Sequence, residues 1–451
     1  MAEVEISDLL GNQLQQEKQL EKFFRTATPQ SLKTHLSKMP ASVSEQIVHL
    51  NAVLKVLNEM DVQPVQIFSL LETVRPVVYE KFNLLTSRFL GKSAVFPQRV
   101  QDMLTQAVAL LSHLASSYDN VVEETRAQGD KQAFILGAAI QRAMADKAYL
   151  LYCYLQLYLP VPQQIWRQFH KLYKVAAEYK LLSQTTPDAL VFPRKPLNPR
   201  QTYLYAMMLD RSDTQRLSSQ DIQTLSEALK DWVPFITLAD SKPADAVNPL
   251  VINLEAPSGA LFYGDLTNKF SNKLVFIQLD KFVAHLKSLK KYSLRVSITE
   301  EWLFDKAMIE QLIDQWTVHR SRSTDRIAVN EIVIIALGFL PVHYYLSGFR
   351  EPEILQGSAE FSEKDPVGKL SYGELPEEFR AMTYVPQQIK IDKPFFPYEK
   401  VLAVDESSGG YCLEWPSEAR SDLSIGELVS IKPRLSPYWK VCEIVSLTKT
   451  K

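Results

Sequence analysis

The chain has 451 residues, a formal net charge of −2 and only 14 glycines. Such a length accommodates roughly two to four domains, each with its own core. The near-neutral charge excludes a global basic field that would recruit DNA, RNA or an anionic membrane, so an anionic ligand has to be held by a local cluster.

Residues 1–40 are polar and weakly periodic, which predicts a mobile arm with at most one short helix. From Ser44 the period becomes helical: Ile47, Leu50, Leu54 and Leu57 fall on one face. Pro64 can open the next helix, and Pro76 inside it predicts a kink or break. Pro97 opens a third helix; a fourth carries Leu136, Ile140, Ala143 and Met144; a fifth carries Trp166, Phe169, Leu172 and Tyr173. Residues 41–184 therefore read as an all-α helical bundle or array. Four prolines between Thr185 and Arg200 predict a linker and a domain boundary.

Residues 200–316 read as an α+β middle domain, with helices near 200–210, 218–231 and 279–289 and strands at 233–238, 250–254 and 273–278. Ser297 and Glu300 have capping-box spacing ahead of an apolar run from Trp302 to Trp316, which predicts a helix start there. Residues 317–451 are β-rich, with strands at 327–337, 401–404, 411–415, 427–431 and 439–447 and a long excursion at 348–398. The fold class expected is α+β.

No signal-peptide pattern opens the chain, and the apolar stretch 332–346 is short of the roughly 20 residues of a spanning helix. Cys153, Cys412 and Cys442 are odd in number and far apart, as in a reducing compartment. A cytoplasmic protein without membrane insertion is expected. Catalytic signals fail on inspection. Gly91-Lys92-Ser93 lacks the first glycine of a phosphate loop, since Thr86 stands there. Glu227-Ala228-Leu229 lies in a helix without neighbouring metal-binding carboxylates. The seven histidines have no metal-ligand spacing, and His343 reads as a structural histidine. No catalytic residue, metal or cofactor is assigned.

Two motifs remain. Arg320, Arg322 and Arg326 put three guanidinium groups within seven positions, with Arg322 and Arg326 spaced R-x-x-x-R. Asp405, Ser407 and Gly410 form D-x-S-x-x-G between two strand-like runs. A solvated charged loop accounts for the first taken alone, and an ordinary hairpin for the second. Together, in this order and on β structure, they resemble the PilZ family, whose signature is R-x-x-x-R followed by D/N-x-S-x-x-G on a small β-barrel.

The resemblance implies a PilZ-like barrel at 317–451 that binds cyclic di-GMP. Arg322 and Arg326, assisted by Arg320, would grip phosphates and guanine edges. Asp405 would accept from guanine N–H groups, Ser407 would add a hydroxyl, and Gly410 would leave room for the base. It also implies a non-enzymatic bacterial receptor that passes the signal to an unidentified protein partner through the helical N-terminal domain, in control of motility, pili or biofilm. About 80 residues separate the motifs, more than the family's usual few tens, and little chain follows for a last strand and closing helix. A ligand-independent adaptor with a degenerate barrel is the alternative.

Overall fold

A computed structural model describes residues 18–86, 98–129, 133–266, 273–292, 295–299, 302–319, 326–348, 396, 398–407, 409–415, 423, 425–433, 436 and 438–448. The chain divides into two compact units. The first comprises Met1–Ser321, Arg420–Leu423 and Ser446–Lys451; the second comprises Arg322–Ala419 and Ser424–Val445.

Among the described residues of the first unit, helices follow the apolar spacing of the sequence: α1 (Pro29–Leu36), α2 (Val43–Glu59), α3 (Pro64–Thr86), α4 (Gln98–Ala127), α5 (Ala133–Gln156), α6 (Gln163–Glu178), α7 (Pro199–Arg211) and α8 (Ser219–Trp232). Three starts are written locally. Thr28 with Ser31 and Asn198 with Gln201 form reciprocal caps ahead of Pro29 and Pro199, and Ser218 caps α8 through the Asp221 N–H.

Several expectations are corrected in this unit. The arm expected to be mobile is packed from residue 18 onward, because Leu20, Phe24, Leu32 and Leu36 are buried. Of the kink or break expected at Pro76, the break is excluded, since the helix runs on to Thr86; tertiary contacts outweigh the lost hydrogen bond. The proline-rich stretch expected to be a linker is packed as well, with Phe192 and Leu197 buried.

One buried group fastens that stretch. The Arg75 guanidinium, 3% exposed, donates to Asp146 on α5 at 2.6 and 2.9 Å and to Asp188 at 2.8 and 3.0 Å. Arg142 adds a bond to the Pro187 carbonyl at 2.8 Å. Asp188 in turn accepts from the Leu190 and Val191 N–H groups. A buried arginine fork between two carboxylates fixes geometry more surely than it adds stability.

The remainder of this unit mixes helix and sheet. Strands β1 (Thr237–Ala239), β2 (Leu250–Asn253), β3 (Leu261–Phe262) and β4 (Leu274–Gln278) form an antiparallel sheet in the order β1-β4-β2-β3. Helix α9 (Asp280–Tyr292) leads to the hairpin β5 (Arg295–Thr299) and β6 (Trp302–Asp305), then to α10 (Lys306–Thr317). The helix start expected at Ser297 is thus overturned. Val296, Ile298 and Thr299 on one strand, with Trp302 and Phe304 on the other, are β-branched and aromatic residues that suit a hairpin, and the helix begins at Lys306.

The second unit is built on a five-stranded antiparallel sheet. Its strands are β7 (Ile327–Leu337), β8 (Glu399–Ser407), β9 (Gly410–Glu414), β10 (Leu428–Lys432) and β11 (Lys440–Glu443), in the order β11-β10-β7-β8-β9. Val333, Ile335, Val401, Ala403, Val429 and Ile431 are buried, all but filling one face. Helix α11 (Phe339–Leu346) covers part of the other, placing Tyr344 and Tyr345 on Ala336. His343 on that helix is exposed. The sheet is a curled half-barrel, and the architecture as a whole is α+β.

Candidate functional site

Pairing of β7 with β8 brings Arg326 of the first motif to Asp405 of the second. Ala328 lies opposite Asp405 and Ile327 opposite Glu406, so Arg326, the residue before β7, stands beside Asp405. Its Nη1 donates to Asp405 Oδ1 at 2.9 Å and Oδ2 at 3.2 Å. That hydrogen bond and the carboxylate charge raise the Arg326 pKa above its ordinary value, with Cys412 across the hairpin adding to the effect. Arg326 is 45% exposed and Asp405 22%. An ion pair in such a setting contributes about 0–1 kcal/mol, so a ligand can take either partner at little cost.

The turn between β8 and β9 is made by its own polar groups. Ser407 is paired with Gly410 in the ladder, and the Ser407 hydroxyl accepts from the Gly409 N–H at 3.3 Å. Gly410 has φ +150°, and a Cβ added there would meet nothing within 4 Å. Among the described residues the position beside Gly410 is therefore unfilled, and the backbone there adopts a conformation that favours glycine. Asp405, Ser407 and Gly410 therefore sit together with Arg326 at one end of the hairpin. Arg320 and Arg322, the other two guanidinium groups, lie outside the described residues, as does nearly all of the 348–398 excursion.

A register shift between Ala403 and Asp405 sets which side chains face which way. Asp405 and Ser407 share one face and Glu406 takes the other. There the structure adds residues that neither motif signalled. The Tyr411 hydroxyl donates to Glu406 Oε1 at 2.7 Å, and Lys440 Nζ, from β11, lies 3.3 Å from the same oxygen. Their only trace in the sequence is position: Glu406 lies inside the D-x-S-x-x-G motif and Tyr411 directly follows it.

No group of three or more potential metal ligands occurs among the described residues, and no described helix is long and apolar enough to cross a membrane.

Parts of the chain are similar to known proteins. The family model described as cyclic-di-GMP receptor FimW, N-terminal domain, matches residues 30–244. That described as cyclic-di-GMP receptor FimW, middle PilZ domain, matches residues 362–445. The second range contains Asp405, Ser407 and Gly410 but begins after Arg320, Arg322 and Arg326, and after β7. The cyclic-di-GMP receptor FimW of Pseudomonas aeruginosa (strain PAO1) is 24% identical over 456 residues, covering 93% of this chain and 75% of that protein. No solved structure matches. The chain is thus a multi-domain protein built from a FimW-type N-terminal domain and, in its C-terminal part, a PilZ-type domain.

Proposed function

We propose that this protein is a non-catalytic receptor for cyclic di-GMP, with the ligand seated at the turn end of the β8–β9 hairpin. The carrying observation is the convergence of Arg326 with Asp405, Ser407 and Gly410 at the β8–β9 turn. The name of the Pseudomonas relative supports the same ligand. In this reading Asp405 accepts from a guanine Watson–Crick edge, while Arg326, joined by Arg320 and Arg322, takes phosphate oxygens or the guanine O6 and N7 atoms. The bound state is conveyed to a protein partner through the helical half, in a reducing, cytoplasmic setting.

Calorimetry on the full chain tests the site. Asp405→Ala and Arg326→Ala should each weaken cyclic di-GMP binding by about 1–3 kcal/mol, roughly five- to 150-fold. Equal affinity in both variants would remove these residues from the site. One observation favours a second reading: Asp405 already has Arg326 as its partner, as it would in a ligand-independent adaptor. That reading wins if millimolar nucleotide leaves the melting temperature of the wild type unmoved.

A further inference from the structure

Strands β9 and β11 are the two ends of the five-stranded order, with β10, β7 and β8 between them. In a flat sheet they would lie about 19 Å apart, four spacings of roughly 4.8 Å. Yet Lys440 of β11 reaches Glu406 of β8 and Tyr411 of β9. Its Nζ lies 3.3 Å from Glu406 Oε1, hydrogen-bonds the Tyr411 hydroxyl, and sits 5.0 Å from the centre of the Tyr411 ring. These are contacts across the curl of the sheet, made by side chains alone, since no backbone ladder joins β9 to β11.

We infer that Lys440, Tyr411 and Glu406 form a latch that positions the β8–β9 hairpin for its ligand. The inference rests on the ligand reading proposed above. The hairpin has two polar anchors on opposite faces of adjacent residues. Arg326 holds Asp405 on one face, and Lys440 holds Glu406 on the other. A ligand that engages Arg326 and Asp405 loosens the first anchor, and the latch is what keeps the turn in place. An isolated surface ion pair would be too weak for this. Here one ammonium group bonds two partners, and the Tyr411 hydroxyl joins them. The hydrogen bond from Tyr411 holds the Glu406 carboxyl below its usual range, as expected of a carboxylate kept ionised. Glu406, Tyr411 and Lys440 are positioning residues and need not touch the ligand.

The test compares full-length wild type with Lys440→Met, Lys440→Arg and Tyr411→Phe. Cyclic di-GMP affinity is measured by calorimetry at a temperature where every variant is fully folded, and amide hydrogen exchange is followed in the ligand-free proteins. Lys440→Met should bind about ten-fold more weakly, equivalent to about 1.4 kcal/mol, because fewer molecules hold the competent hairpin. Its amides in 402–414 should exchange faster while those of β10 do not. Lys440→Arg should restore both properties, and Tyr411→Phe should show the same defects in weaker form. A merely structural lysine would lower the melting temperature and leave the affinity of the folded protein alone. If wild type binds and Lys440→Met binds equally well, the positioning role is overturned while the ligand reading stands. If wild type does not bind, the ligand reading fails and takes the positioning role with it. Unchanged hairpin exchange in Lys440→Met overturns the latch itself.

Discussion

Two titratable side chains in the first unit respond to burial in opposite directions. His170 on α6 is 2% exposed. Its Nε2 lies 3.0 Å from the Ser258 carbonyl oxygen, which can only accept, so Nε2 carries the proton and Nδ1 accepts from the Tyr203 hydroxyl at 2.6 Å. Burial pushes its pKa down to about 4, with Lys174 acting the same way. One residue beyond Ser258, Gly259 brings the chain against Asp210 of α7 so closely that a Cβ would lie 2.5 Å from Asp210 Oδ2. Burial pushes Asp210 up to about 7, against the pull of Arg211. The neutral form is favoured in both, with opposite consequences. The contribution of His170 is complete above pH 6.5 and is lost as pH falls toward 4. That of Asp210 is complete below about 3.8 and is lost as pH rises toward 7. Between pH 4 and 6.5 the two offset each other. Asp210→Asn removes one side of this balance. The variant should become steadily more stable relative to wild type as pH rises from about 4 to 7 and level off above that, by a few kcal/mol at most. Urea unfolding across that range checks it; parallel pH profiles for the two proteins would contradict the burial argument.

At the scale of elements, the β8–β9 hairpin offers two adjacent glycines with different duties. Gly410 has φ +150° and open space around it, whereas a Cβ on Gly409 would make only an ordinary contact, 3.9 Å from Ser407 Oγ. Gly410→Ala should therefore cost about 1–3 kcal/mol of hairpin stability through backbone strain alone, and Gly409→Ala about 0.5 kcal/mol or less. Hydrogen exchange at 402–414 separates the two; equal effects would show that conformation is not what Gly410 supplies. The hairpin was legible in the sequence because alternating strands and a Gly-Gly turn are local signals. So was β7, whose Ile327 and Leu337 are the limits expected from its β-branched run. The meeting of Arg326 with Asp405 was legible only through family resemblance, since pairing across 79 positions leaves no local mark. The Lys440 latch depends on the curl of five strands and has no sequence signature. The hairpin at β5–β6 was misread because Ser297 and Glu300 satisfied a short capping pattern, while the β-branched residues among them decided the outcome. The stretch 185–200 was misread for a similar reason. Pro187, Pro193, Pro196 and Pro199 signal irregular backbone, not exposure, and Arg75 holds that backbone in place through Asp188.

At the scale of the molecule, the chain passes between its two units more than once. Leu423 is buried in the first unit although it follows β9, and the Leu447 N–H donates to the Gln215 carbonyl after the last strand of the second. A ligand that binds only the folded second unit must stabilise it by mass action, by about 2.7 kcal/mol at a concentration one hundred times Kd. The slowest-exchanging amides of β7, β8 and β10 should report that increment. The receptor reading demands something further. A signal passed on through the helices requires a coupling free energy between the ligand site and the first unit, typically about 1–3 kcal/mol in systems of this kind. Cyclic di-GMP should therefore also change exchange in some part of α1–α8, and Asp405→Ala should abolish both effects together at a fixed ligand concentration. Protection confined to the second unit would identify a binding module whose occupancy is read at its own surface, and the role assigned to the helical half would have to be withdrawn. Protection that appears in the helices but survives Asp405→Ala would place the ligand elsewhere in the molecule.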